Sequence, residues 1–175
     1  MPLANDYPRQ TCSVARSLEV VGERWTLLIV RDAFYGVRRF GDFATHLDIP
    51  RAVLATRLKT LVAEDVLRRE PGPGGHDEYA LTEKGVRLWP VVRDLMAWGD
   101  EYYTPQAARR VFRHDADDGT LDPSGRCATC GEVPDVADTV IELAPGFGSF
   151  RRRDDPVTRA IGARHRLLEP VRAGA

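Results

Sequence analysis

Two cysteines with two residues between them, in the run Cys127-Ala128-Thr129-Cys130-Gly131, have a type and spacing that speak of chemistry. Thiolates so spaced hold one side of a tetrahedral zinc site, and a complete site needs two further ligands. The chain supplies His114 and His165 but no second spaced cysteine pair, and the neighbouring Asp115, Asp117 and Asp118 are poor structural zinc ligands. The expectation is therefore no bound cofactor, with a metal held by Cys127, Cys130 and His114 as the alternative. A thioredoxin-like redox pair would need a βαβ setting, which this stretch lacks. The third cysteine, Cys12, directly precedes a helix and stands one turn before Arg16, and both features favour a thiolate. Cys12 is the candidate redox sensor, against the plainer role of a small packing residue. Catalysis finds no foothold: no nucleophile has a paired base, no glycine loop is built to cradle phosphate, and no carboxylate pair is suitably spaced. We expect a protein that is not an enzyme.

Nucleic acid offers a second chemistry. The 175-residue chain has a net charge of −1, so attraction to phosphate does not come from the molecule as a whole. Between residues 38 and 69, however, seven basic side chains (Arg38, Arg39, Arg51, Arg57, Lys59, Arg68, Arg69) meet four acidic ones (Asp42, Asp48, Glu64, Asp65), a surplus of 7 − 4 = 3. From Arg51 to Asp65 the apolar Leu54, Leu58, Leu61 and Val62 fall on one helical face, and Ala52, Thr56, Lys59 and Ala63 on the opposite one. Small side chains let a helix approach base edges, while Arg51, Thr56, Arg57 and Lys59 supply donors for bases and phosphates. A merely solvated helix would look similar, and the segment after the helix distinguishes the two. Strand-like runs at 66–70 and 78–82 flank Pro71-Gly72-Pro73-Gly74-Gly75-His76-Asp77, a hairpin with a glycine-rich tip. On that hairpin Arg68, Arg69 and His76 are placed to touch phosphate or the minor groove.

The elements around these residues complete a pattern. Residues 13–34 read as two helices punctuated by Gly22, and Phe40, Phe43 and Leu47 mark a two-turn helix. Pro50 suits the first turn of the next helix. Thr82 caps a helix running from Glu83 to about Tyr103, which Pro90 should kink or divide. Helix, helix, short helix, recognition-like helix, hairpin, helix is the order of a winged helix-turn-helix. The fold class is mainly α with a small β-hairpin wing (α+β), plus a C-terminal extension carrying the CxxC knuckle. Val14, Leu18, Leu88, Val92, Leu95, Met96 and Trp98 exceed what one small domain buries and are expected at a dimer interface. In the extension, 139–143 reads as a strand, 145–150 as a loop, Arg151 to Arg153 as a basic tip, and 155–168 as a helix polar on most faces.

Residues 12 to 103 resemble the HxlR family of transcriptional regulators. The resemblance is carried by Cys12, the run VGERWTLLIVRDAF with Gly22 and Trp25, RRFGDFATHL, VLATRLKTL, VLRRE, EYALTEKGVRLWPVV and Trp98. It implies a winged fold, a homodimer formed through the first and last helices of the domain, and control at palindromic operators. Cys12 sits where some members carry a thiol that responds to oxidants or electrophiles. Extended relatives carry a His and a Cys-Gly upstream of such a knuckle, so residues 104–175 read as a degenerate zinc-ribbon-like unit that lost its metal. Two departures stand out: Asp48-Ile49-Pro50-Arg51 replaces the usual Gly-Ile-Ser-Arg type entry to the recognition helix, and the extension is long.

The expected organisation is an arm at 1–11, a DNA-binding and dimerisation domain at 12–103 and the extension at 104–175. The expected DNA contacts are Arg38, Arg39, Pro50, Arg51, Ala52, Thr56, Arg57, Lys59, Arg68, Arg69 and His76. Partners would be a double-stranded operator, a second copy of the chain, and a small-molecule or oxidant effector. No apolar run approaches the roughly 18 residues that span a bilayer. The N-terminus lacks the basic start and apolar stretch of a signal peptide, so a cytoplasmic protein is expected. The alternative function is a winged-helix module that binds protein rather than DNA.

Overall fold

The apolar periodicities close into helices whose ends are set by identifiable residues. In the computed structural model, which describes residues 7–73, 75–103, 110–145 and 154–172, α1 (Ser13–Val21) is capped by Cys12, whose Sγ accepts from the Ala15 amide at 3.4 Å. Then come α2 (Thr26–Phe34), α3 (Phe40–Leu47) and α4 (Arg51–Ala63). Asp48 ends α3 in the left-handed region at φ 54°. Pro50, expected in the first turn of α4, stands one residue earlier as its N-cap.

The wing pairs β1 (Leu67–Pro71) with β2 (Asp77–Leu81), in antiparallel register from Leu67↔Leu81 to Pro71↔Asp77. Arg39 bridges to Glu78 and the Tyr79 amide donates to the Arg38 carbonyl, so the α2–α3 connection lies along the hairpin's second strand. Thr82 Oγ1 accepts from the Gly85 amide and starts the single-turn α5 (Glu83–Val86). The long helix is divided, not kinked: α6 (Trp89–Tyr103) restarts with Pro90 in its first turn, where a missing donor costs nothing.

In the extension, β3 (Arg110–His114), β4 (Thr139–Leu143) and β5 (His165–Arg166) form an antiparallel sheet in that order, with α7 (Pro156–Gly162) between β4 and β5. This corrects the expected helix over 155–168. It stops at Gly162, and His165–Arg166 pairs with β4 instead. Nor is it polar on most faces, since Val157 and Ile161 are buried. The basic run Arg151–Arg153 and the loop at 146–150 lie outside the described residues.

The two regions share one core. Ile29, Phe34, Phe43, Leu54, Leu58 and Leu61 of the helical part cluster with Ile141, Val157, Ile161 and Leu167 of the extension. Trp89 joins them, its ring 5.1 Å from that of Phe34 on one side and 5.1 Å from that of Phe112 on the other. The segment after β5 straps the α2–α3 corner. Leu168 N donates to Phe34 O, Val171 N to Gly36 O, and Arg38 Nη2 to Leu168 O.

Candidate nucleic-acid interface

The turn between α3 and α4 sets the attitude of α4, whose Leu54, Leu58 and Leu61 anchor it in the core. That anchoring leaves Arg51, Ala52, Ala55, Thr56, Lys59 and Ala63 on an exposed outer face. The face has small residues along its middle and cations at its start and third turn, the geometry a groove-reading helix needs. Arg51 lies over the Phe40 ring at 4.9 Å, a contact that positions its guanidinium beside the start of α4. Thr56 Oγ1 donates back to the Ala52 carbonyl at 3.0 Å and keeps acceptor capacity for an outside donor.

The other expected contacts divide. Arg57 is drawn onto Glu23 at 3.5 Å with its side chain only 20% exposed, which leaves the outer face to Arg51 and Lys59. Arg68 and Arg69 project from the wing, paired with Glu70 and Asp77 respectively, and His76 is exposed near its tip. Arg38 is half-buried and engaged with the C-terminal segment. Its guanidinium donates to Leu168 O, its Nε is buried, and desolvation lowers its pKa. Arg39 reaches the buried Glu78, which Arg172 also binds. Both arginines thus fasten the wing and the C-terminal strap to the domain. Sequence reasoning missed this role because the partners, Glu78, Leu168 and Arg172, lie far along the chain.

Against known protein families, the HxlR-like helix-turn-helix model matches residues 20–107. The chain belongs to the HxlR-like helix-turn-helix family. The uncharacterized HTH-type transcriptional regulator Rv3095 of Mycobacterium tuberculosis is 46% identical over 139 residues, covering 77% of this chain and 87% of its own. The HTH-type transcriptional regulator YodB of Bacillus subtilis is 32% identical over 92 residues, 51% of this chain and 82% of its own. Among solved structures, PA1607, named as a candidate transcription factor, matches with a TM-score of 0.59 and 35% identity over 84% of this chain and 97% of its own. The winged helix-turn-helix fold, the CxxC-bearing extension and the class of helix-turn-helix transcription regulator thus hold for this HxlR-family chain. No helix among the described residues is long and apolar enough to cross a membrane.

Two further groups of predicted residues have definite places in the HxlR-family fold. Of the expected interface set, Val14, Leu18, Leu95 and Trp98 are exposed, Leu88 is half-buried, and Trp98 packs at a tilt against Tyr102 and Tyr103. Val92 is not available to a partner. It is 4% exposed and belongs to the protomer's own core, while Met96 turns inward to accept the Tyr35 hydroxyl at 3.2 Å. Cys12 is exposed at the N-terminus of α1. Arg16 does not support it as expected, because its guanidinium binds Glu19 and donates to the carbonyls of Tyr7 and Gln10. Elsewhere, His114, Asp117, Cys127 and Cys130 converge in the extension. His165 is directed elsewhere, with its ring nitrogens against the carbonyls of Ala163 and Tyr35.

Proposed function

We propose that the protein is a cytoplasmic, homodimeric regulator that reads a palindromic operator through α4 and clamps flanking phosphates with its wing. The observation that carries this reading is the outer face of α4, where Arg51, Ala52, Ala55, Thr56 and Lys59 are exposed together while the leucines of the same helix are sealed in the core. The apolar residues left exposed on α1 and α6 give a second copy a surface to cover. Two α4 helices held about 34 Å apart would then enter successive major grooves. The protein acts by binding rather than by catalysis.

An effector has two places to act. One is Cys12, where an adduct at the start of α1 would alter a helix assigned to the dimer. The other is an open cleft of ≈ 430 Å³ between the α5–α6 region and the loop of the extension, lined by Trp89, Pro90, Arg93, Val133, Pro134 and Val136.

The test begins by sequencing genomic DNA that the protein retains and measuring affinity for the recovered operator. Thr56→Ala should reduce discrimination against random DNA by about 1 to 3 kcal/mol, the range for a lost base contact. Arg69→Ala should weaken all sequences alike and flatten the salt dependence. Charge reversal of Arg51 and Lys59 to Glu should abolish binding. An unaffected double-reversal variant would leave the protein-interaction module as the function. Operator affinity before and after diamide, in wild type and Cys12→Ser, tests the first of these sites: a response that survives in Cys12→Ser removes Cys12 from the account.

A further inference from the structure

Between β3 and the 3-10 turn at Val136–Asp138, residues 115–135 run without a helix or strand. Cys127 is the one buried side chain in this stretch with more than a glycine's bulk. A connection of this length without secondary structure or an apolar core of its own is uncommon in a compact domain and needs something else to hold it. It is nonetheless closely folded. Leu121 N donates to Phe112 O, Ala128 N to Thr120 O, Cys127 N to Glu132 O and Gly131 N to Cys127 O. These bonds bring the knuckle back beneath the end of β3.

Three separate pieces of chain meet there. His114 is the last residue of β3, Asp117 lies in the turn after it, and Cys127 and Cys130 come from the knuckle. One ligand atom from each of the four lies within 4.8 Å of the others. Cys130 Sγ stands 3.4 Å from His114 Nδ1, His114 Nδ1 is 3.5 Å from an Asp117 carboxylate oxygen, and Cys127 Sγ is 3.3 Å from the same oxygen. The edges of a tetrahedron around zinc are about 3.3 to 3.8 Å when the metal–ligand bonds are about 2.0 to 2.3 Å. The surroundings have the features of a ligand cage. The Thr129 amide lies 3.4 Å from Cys127 Sγ, the Gly119 amide donates to Asp117 at 2.9 Å, and Gly131 takes the positive φ of 78° that closes the knuckle. Gly119 has to be glycine, because a Cβ there would run into Cys127 Sγ and Thr129 Oγ1.

We propose that His114, Asp117, Cys127 and Cys130 bind one zinc ion, and that this ion fastens residues 115–135 to the β3–β4 sheet. The sequence leads away from this site because it shows one CxxC and no second cysteine pair. The fold supplies the missing half with a histidine from a strand end and an aspartate from the following turn. Soft thiolates with an imidazole select zinc over magnesium or calcium, and four protein ligands leave no open position, so the role is structural. Binding requires both thiols to give up their protons, and the metal's binding energy becomes folding energy for the extension.

The full-length protein, purified without chelator, should contain about one zinc per chain by elemental analysis. Exchange of that metal for cobalt should produce thiolate-to-cobalt charge-transfer absorption and the intense visible bands of a tetrahedral site. Cys12→Ser should keep both signals, and Cys127→Ser with Cys130→Ser should lose them. Because that double variant could simply fail to fold, two further measurements are needed. A strong chelator should lower the melting temperature of the wild type reversibly. Zinc affinity should fall by about tenfold or more in Asp117→Ala and rise in Asp117→Cys. A wild-type protein that binds neither zinc nor cobalt at micromolar concentration, or cobalt absorption that persists without Cys127 and Cys130, would overturn the proposal. A melting temperature indifferent to chelation, or an affinity unchanged at Asp117, would overturn the stapling role and the fourth ligand respectively.

Discussion

Asp32 has no exposed surface, and its neighbours decide what that means for the molecule. Burial by itself pushes a carboxyl upward. Arg31, 2.7 Å from one oxygen, and His46, 2.6 Å from the other, outweigh it and hold the group below its usual range. His46 comes from α3, so this contact ties α2 to α3. Removing one member of a buried ion pair leaves the rest uncompensated, and Asp32→Asn should therefore cost about 3 to 5 kcal/mol in denaturant unfolding. The direction of the shift sets the pH dependence. A carboxyl whose folded pKa is depressed contributes stability above its unfolded value of about 3.9 and loses it as pH falls through the folded value. The stability gap between wild type and Asp32→Asn should thus be constant at neutral pH and shrink in acid. A gap that stays the same at pH 3 would show that packing, not charge, accounts for it. In the sequence Asp32 is a charged residue ending an apolar run, and nothing local signals that its partner lies on the next helix.

Among the elements, the α2–α3 corner is the point on which the strap depends. Gly36 has φ +85°, and a Cβ there would overlap the Glu169 carbonyl. Gly36→Ala should destabilise the fold by at least about 1 to 2 kcal/mol and increase hydrogen exchange at Leu168 and Val171, whose amides bond to this corner. Unchanged exchange at those two amides would mean that the strap is held by its side chains alone. The helices up to Tyr103, the wing and the division near Pro90 were legible in the sequence because each depends on a local signal: spacing, a cap, a glycine-rich tip or a missing donor. β5 was not legible. His165 and Arg166 have no strand-like pattern, and only the free edge of β4 gives them their conformation. The role of Arg38 was hidden for the same reason, as was that of Asp117, which takes part in a four-residue cluster only once β3 and the knuckle are side by side.

For the whole molecule, what matters most is which apolar surface one chain leaves uncovered. Val14 is 67% exposed, Leu95 49% and Trp98 50%, on the two helices that the family resemblance assigns to dimer formation. Large apolar side chains left exposed on both helices are what a second copy would cover in the proposed dimer. Leu95→Asp combined with Trp98→Glu should give a monomer by sedimentation and lose operator affinity, with secondary structure preserved. A wild-type chain that is already monomeric at micromolar concentration would refute the assignment. The shared core has a consequence of another kind, in the order of synthesis. Ile161 and Leu167 pack with residues from the first third of the chain, and Arg38 and Tyr35 find their partners 130 residues later. Contacts of such long range form late, after loop closure has been met, and during translation they wait for residues 161–168 to leave the ribosome. A nascent chain stalled before Ile161 should therefore expose α2 and α3 to protease and bind no operator. The proposed operator-binding surface would then first become competent only when residues 161–168 have been made and docked, so that a product interrupted before them would not occupy the site.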